Sequence, residues 1–324
     1  MSTPYEFNLP IFVDSTMLTA YRACPKSFFY EYGYGLRPKG KNIHLHAGGC
    51  AATTIEAVRE GFYNLNLSPE EALKRAWRVY IEAWGDYDDF LAEKKSVFGT
   101  WRAICSYFEQ WPIETDHIKP YTRADSGHGT FEYSFAIPMP INHPDGQPFI
   151  FCGRVDMLGE YVGKPCIVDE KLVGGLGYAF ADKWRMRGQF LGYLWALRES
   201  GIPVDTAVIR GTAPAVKDVK HMEVIQPYSN KLIDRWYEET LVTLSNITRS
   251  VEESRWPMDF GQTCEQFGGC PFTLLCTAPG KDTTWFPEYK VERWNPLSRN
   301  PLDQALDQIS IADLIKPIFE EPSA

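Results

Sequence analysis

Apolar residues recur at helical spacing along the first third of the chain and at alternate positions through its middle. Ser15 to Tyr34 reads as one helix, with Ser15 as N-cap and Leu18, Tyr21, Phe28 and Phe29 near one face. A second helix is expected over 47–62. A third opens at Ser68, where Pro69 takes the first helical position and Glu71 completes a capping box. A fourth covers about 96–111. Near residue 130 the period changes from 3.6 to 2, and strands are expected at 130–137, 149–161 and 165–173. A helix over 181–199 is stopped by Gly201-Ile-Pro203. Strands at 204–212 and 219–226 and a long helix at 229–253 follow. Then comes a segment rich in Cys and Gly, 263–276, and a Pro-rich tail with a short amphipathic helix at 302–315. Helices first and then this strand–helix alternation predict an α/β fold, with a central mixed sheet flanked by helices.

Composition narrows the class. The chain has 324 residues, 44% hydrophobic and 14% aromatic, which excludes a disordered or fibrous protein. No apolar run approaches the roughly 18 residues that span a bilayer, and the N-terminus lacks a secretory signal. A cytoplasmic, reducing location is therefore expected. There the eight cysteines are core thiols or metal ligands rather than disulfides. The net charge of −9 argues against a generic polyanion binder but leaves nucleic acid open, since a local basic groove suffices.

Two acidic positions stand out. Gly153-Arg-Val-Asp156 and Val168-Asp169-Glu170-Lys171 both fall in otherwise apolar strands. A buried carboxylate is costly unless paired or bound to a cation. Adjacent strands would bring Asp156 and Asp169 together, and a divalent cation resolves their repulsion. Oxygen-only ligands suit Mg²⁺ or Mn²⁺. Strand alternation puts Asp169 and Lys171 on one face and Glu170 on the other. A lysine at such a site can orient a water or offset negative charge. The bland alternative is a surface hairpin of solvated charges. Gln189 and Tyr193, four apart, share a helix face. Lys183, Arg185 and Arg187 at the start of that helix could grip phosphates.

G-x-x-D, then D-x-K, then Q-x-x-x-Y resembles the PD-(D/E)xK nuclease superfamily, specifically its RecB-like exonuclease branch, over roughly residues 15–276. The resemblance implies a restriction-endonuclease-like core and one nuclease domain over 1–280. That domain would comprise a helical insertion near 62–125, a catalytic core near 128–228 and a separate tail after 280. It implies Asp156 and Asp169 as metal ligands, with the backbone carbonyl of Glu170 completing the shell. Lys171 becomes the catalytic lysine, and Gln189 and Tyr193 line the site. The family histidine in G-x-x-x-H-x-x-L-E is missing: Gly48-Gly-Cys-Ala-Ala52-Thr-Thr-Ile-Glu56 places Ala52 there. Glu56 survives as a possible ligand. His44 and His46 precede it in a loop, and a surface role suits either one better.

Cys264, Cys270 and Cys276 are spaced six apart, without the close pairs usual for zinc. Cys24 is the obvious fourth. One distant cysteine plus a C-terminal trio is similar to the iron–sulfur staple of AddB-type nucleases and RecB-like CRISPR adaptation nucleases. The resemblance implies a [4Fe–4S] cluster on these four thiolates, tying the N-terminal helices to the C-terminal segment. Zinc and unligated thiols are the alternatives. Cys50, Cys105, Cys152 and Cys166 read as core thiols.

Arg22, Lys26, Arg37, Lys39 and Lys41 form a basic strip opposed only by Glu31, interleaved with Phe28, Phe29, Tyr30, Tyr32 and Tyr34. A basic groove with aromatics is how single strands are held without sequence readout. Core packing is the better reading for Phe28 and Phe29, and Tyr32 and Tyr34 stay open. Arg210 and Lys217 would extend the same face. The expectation is a metal-dependent exonuclease acting on single-stranded or end-resected DNA in recombination, repair or mobile-element replication. A recombination or replication protein is a possible partner, no membrane is involved, and no residue fixes an oligomeric state. The alternatives are a weak or inactive iron–sulfur DNA-binding accessory protein on the same fold, and a zinc-stapled RNA- or protein-binding module.

Overall fold

The structure is a computed structural model, and it describes residues 5–40, 42–87, 93–122, 127–265 and 269–294. Lys41 and the expected 302–315 helix lie outside them. The fold is α/β, with a mixed sheet flanked by helices. Among the described residues no helix is long and apolar enough to cross a membrane. The chain divides into two compact units, Met1–Gly40, Ser134–Gly153 and Asp234–Ala324 in one, and Lys41–Tyr133 and Arg154–Ile233 in the other.

The first unit begins with strand β1 (Phe12–Val13) and helix α1 (Ser15–Ala23). Asp14, not Ser15, caps α1 by accepting the Met17 amide at 2.8 Å. The single helix expected over 15–34 is broken. Cys24 is extended (φ −161°, ψ 106°), because the residue before a proline is disfavoured in the helical region. Helix α2 (Pro25–Phe28) restarts at Pro25 and runs into a π turn at Phe29–Gly33. Strand β2 (Leu36–Pro38) pairs antiparallel with a short strand at 289–291. The interior gathers Tyr30, Leu36, Phe272, Leu275, Phe286 and Tyr289.

The first segment of the second unit, residues 41–133, contains α3 (Ile43–Tyr63), α4 (Pro69–Trp84) and α5 (Val97–Gln110). The Ser68–Glu71 capping box at α4 is formed from both sides. Strand β3 (Lys119–Pro120) precedes two long strands, β4 (Thr130–Asn142) and β5 (Pro148–Tyr161), each of which has residues in both units. Within the second unit β6 (Lys164–Leu172) pairs antiparallel with β5 and parallel with β7 (Thr206–Pro214). Strand β8 (Val219–Pro227) closes this side antiparallel to β7. Helix α3 packs on β6, and α5 packs on β7 and β8.

The helix expected over 181–199 is also divided, into α6 (Tyr178–Asp182) and α7 (Gly188–Glu199). Between them the Trp184 carbonyl accepts the Tyr228 hydroxyl at 2.5 Å and the Arg187 amide at 3.1 Å. These bonds replace the helical ladder. Helix α8 (Asn230–Glu252) returns to the first unit, where Ser250 lies 2.8 Å from the Tyr21 hydroxyl of α1. Helix α9 (Thr273–Thr277) and strand β9 (Tyr289–Val291) complete the described chain.

Candidate active site and cysteine region

The β5–β6 ladder runs from Tyr161 opposite Lys164 to Met157 opposite Val168. The next residues in register are Asp156 and Asp169. Where the backbone ladder stops, the Asp156 carboxylate takes over and accepts the Glu170 amide at 3.3 Å. The two acids are therefore the next cross-strand neighbours, near enough for the Asp169 charge to act on Asp156. Asp169 is 3% exposed. Burial and the neighbouring Asp169 charge push Asp156 well above the usual carboxylate range, against the pull of Lys171. Burial likewise raises Asp169, again with Lys171 opposing.

Lys171 Nζ donates to Asp169 Oδ1 at 2.8 Å and lies 2.6 Å from Oδ2. Asp169 Oδ2 is buried and receives no hydrogen bond of its own. Burial disfavours the ammonium, yet Asp169 and Asp156 outweigh it and hold Lys171 above its ordinary range. Lys171 is thus a cation at neutral pH. Glu170 points the other way: its carboxylate pairs with Arg59 at 2.5 Å. Alternation along β6 sorts the triplet as expected.

Other predicted residues fall as follows. Gln189 Nε2 donates to the Tyr193 hydroxyl at 3.1 Å on α7. Arg187 acts electrostatically on Asp169. Burial, then the cations Arg187 and Lys171, press Lys183 below the usual lysine range. Lys183 lies over the Phe180 and Trp184 rings, whereas Arg185 pairs with Asp182 at 2.9 Å on the exposed surface. Glu56 is half-buried on α3. Ala52 lines a cavity of about 20 Å³ with Gly48, Ala51, Ile55 and Lys171, room for about one water. Sequence reading missed Glu132. It is buried on β4 at a left-handed φ of 49°, pairs with Arg154 and raises Asp156 electrostatically. A glutamate in an alternating strand gives no such signal.

The basic strip of the first unit is largely occupied within that unit. Arg22 donates to Thr243 at 2.9 Å and Thr240 at 3.1 Å. Lys26 pairs with Asp282 at 2.9 Å and lies over the Phe29 and Tyr30 rings. Arg37 pairs with Glu31. Lys39 is exposed. Phe28, Tyr30 and Tyr32 are buried, and Tyr34 packs on Phe7, Phe29 and Phe286. Core packing decides the two tyrosines left open above. Arg210 is a further correction. It belongs to the second unit and is fully enclosed, so it extends no exposed basic face.

All four cysteines expected to bind a cluster are free thiols, and the first unit gathers them. The Thr263 hydroxyl donates to the Ala23 carbonyl at 3.4 Å, and the Cys270 amide donates to the Cys264 carbonyl at 3.0 Å. After burial, Cys24 and Cys264 are the charges that raise Cys270, and Cys270, Cys24 and Asp282 those that raise Cys276. Their surroundings differ: Cys24 is buried, Cys270 half-buried, and Cys264 and Cys276 exposed. Among the described residues no three His, Cys, Asp or Glu side chains converge to hold a metal ion. The four cysteines expected to hold a cluster therefore do not converge into one. At the acids, Lys171 folds onto Asp169. At the cysteines, Cys24 is extended between α1 and α2, Cys264 ends a 3₁₀ turn and Cys276 lies in α9.

Residues 15–277 match the sequence model of the PD-(D/E)XK nuclease superfamily. The chain belongs to this superfamily. No curated protein matches it in sequence. Among solved structures, the protein SSO0001 is 14% identical at a TM-score of 0.35, over 84% of this chain and 88% of that one. A Eubacterium rectale protein provisionally assigned as an exonuclease is 11% identical at a TM-score of 0.44, over 78% and 86%. For a member of the superfamily, the buried Asp169 carboxylate and the repelled Asp156 carboxylate beside it form an all-oxygen donor set that suits a hard divalent cation.

Proposed function

We propose that the chain is a Mg²⁺- or Mn²⁺-dependent deoxyribonuclease that hydrolyses phosphodiester bonds at DNA ends, with single-stranded DNA as its preferred substrate. The observation behind this reading is the pair Asp156 and Asp169 at the open end of the β5–β6 ladder, with Lys171 beside them. Asp156, Asp169 and the backbone carbonyl of Glu170 would hold the metal, with Glu56 as a further candidate. A bound divalent ion lowers the pKa of water and neutralises charge on the transferred phosphate.

The chain's own groups do the rest. Lys171, whose ammonium the two acids favour, serves as a hydrogen-bond donor to water or phosphate. Arg187, whose charge acts on Asp169, and Lys183, whose charge is felt with those of Arg187 and Lys171, would hold the phosphates that flank the scissile bond. Gln189 and Tyr193, already bonded to each other, would orient the strand. Tyr178, 95% exposed at the start of α6, offers a face for base stacking.

In the first unit, Cys24, Cys264, Cys270 and Cys276 would hold a [4Fe–4S] cluster in a structural role. The support for this is the cysteine pattern of the sequence and the presence of all four thiols, unpaired in disulfides, within one unit. Anaerobic purification should give brown protein absorbing near 400 nm, a band that a colourless or zinc-loaded protein would lack.

A second reading, an accessory protein with little or no catalysis, is favoured by Ala52 at the position where the family carries histidine. End-labelled single- and double-stranded DNA incubated with each metal separates the two. Metal-dependent cleavage abolished by Asp169→Ala supports the enzyme. Tight DNA binding without cleavage supports the accessory protein.

A further inference from the structure

Glu170 lies between two residues of the candidate site, yet its carboxylate points to the opposite face of β6. There Oε1 accepts Arg59 Nη2 at 2.5 Å and the Tyr107 hydroxyl at 3.2 Å. Arg59 also donates to the Tyr107 oxygen at 2.7 Å, and Arg210 donates to it at 3.3 Å. A phenol has one proton and two lone pairs. With both lone pairs taken by guanidinium groups, the proton of Tyr107 is directed at Glu170.

The anchor continues inward. Arg210 holds Asp116 through Nη1 at 2.6 Å and Nη2 at 2.7 Å, and Glu223 through Nε at 2.8 Å. Arg59 is 4% exposed. Burial works against the Asp116 carboxylate, but Arg210 holds it below the usual range. Such buried charges persist only while each remains paired, so the set behaves as one rigid body.

The backbone shows why this bears on the site. The β5–β6 ladder has already ended at Val168, so residues 169–171 lack backbone pairing on the β5 side. The β7 ladder continues to Leu172 and sets Glu170 opposite Arg210. On the β5 side the Glu170 amide bonds only to the Asp156 carboxylate, at 3.3 Å. The orientation of the 170 peptide sets how Asp169, Lys171 and the Glu170 carbonyl meet Asp156.

The geometry points to Arg59 and Tyr107 as positioning residues. They clamp Glu170 from behind the sheet and so hold the 169–171 segment in the conformation that presents the metal-binding and lysine groups. This inference rests on the nuclease reading above.

The test uses the full chain carrying Tyr107→Phe, Arg59→Lys or Arg59→Met. Three quantities are read: amide exchange at Glu170, Mn²⁺ binding from the free-ion EPR signal, and kcat and KM on end-labelled DNA. Tyr107→Phe should fold normally and exchange Glu170 about tenfold faster, with Val208 and Ile209 amides unchanged. Its Mn²⁺ midpoint should weaken by about tenfold, with a similar fall in kcat and KM within about twofold. Arg59→Lys should recover much of what Arg59→Met loses. Parental exchange at Glu170 and a parental Mn²⁺ midpoint in folded Tyr107→Phe and Arg59→Met would overturn the inference. A parent chain that cleaves no DNA would count against the nuclease reading alone, because exchange and Mn²⁺ binding still decide the clamp.

Discussion

Strand register sets Asp156 and Asp169 opposite each other, whereas short turns and loops gather Cys24 and the 264–276 trio in one unit without bringing the thiols to a point. The first route is exacting. Once Met157 pairs with Val168, the next residues must face each other, because a one-residue slip would turn every side chain over. The second route is permissive. A bond from Thr263 to Ala23 brings the segments together without fixing how four thiols point. The acids are accordingly enclosed and mutually strained, while the thiols range from buried to exposed. A register-built site exists before its ligand arrives. A turn-built site of the kind proposed for the thiols would need its ligand to finish it.

The sharpest way to break this contrast is at the acids. Asp169→Ala and Lys171→Ala should each lower metal-dependent DNA cleavage by about 10³-fold or more in single-turnover assays, with the fold intact by circular dichroism. Parental rates in both variants would remove the site from the reaction. Next comes the turn-built site. Cys24→Ser should abolish absorbance near 400 nm and destabilise the chain by about 4–5 kcal/mol relative to the loaded protein, by the chain-entropy argument. A denaturant titration measures the loss, and an unchanged midpoint would mean that the thiols carry no cross-link.

A smaller effect has the opposite sign. Asp156 is neutral below its unfolded value and is penalised in the fold once ionised. Its contribution therefore weakens the metal-free protein as pH rises from the unfolded carboxylate range through the raised folded one. Asp156→Asn should raise the metal-free melting temperature at pH 7 by about 2–4 °C, and the gain should vanish near pH 3. A loss of stability at pH 7 would show that the enclosed acid is not strained. The smallest effect lies outside both sites: Ser68→Ala removes the α4 cap and should cost about 1 kcal/mol by chemical denaturation, with cleavage unchanged.

Local signals were legible wherever the chain writes them locally. Ser68, Pro69 and Glu71 announce α4, and alternation in 165–173 assigns Asp169 and Lys171 to one face and Glu170 to the other. Two helices read as continuous are broken. Pro25 could have warned of the first break. The second depends on Tyr228, more than forty residues from Trp184, and no local pattern reveals it. Three cations of the expected basic strip have internal partners, because pairing depends on what lies opposite in space.

By itself, then, the sequence determined the element types, the alternation that sorts residues 169–171, and the superfamily motif, since each follows from periodicities and steric rules within a few residues. Only the tertiary structure decided that the ladder ends where two aspartates meet, that Glu132 reaches Asp156, and that Arg59, Tyr107 and Arg210 anchor Glu170 from behind. Those outcomes come from the burial and pairing of charges distant along the chain, and burial is a property of the folded molecule alone.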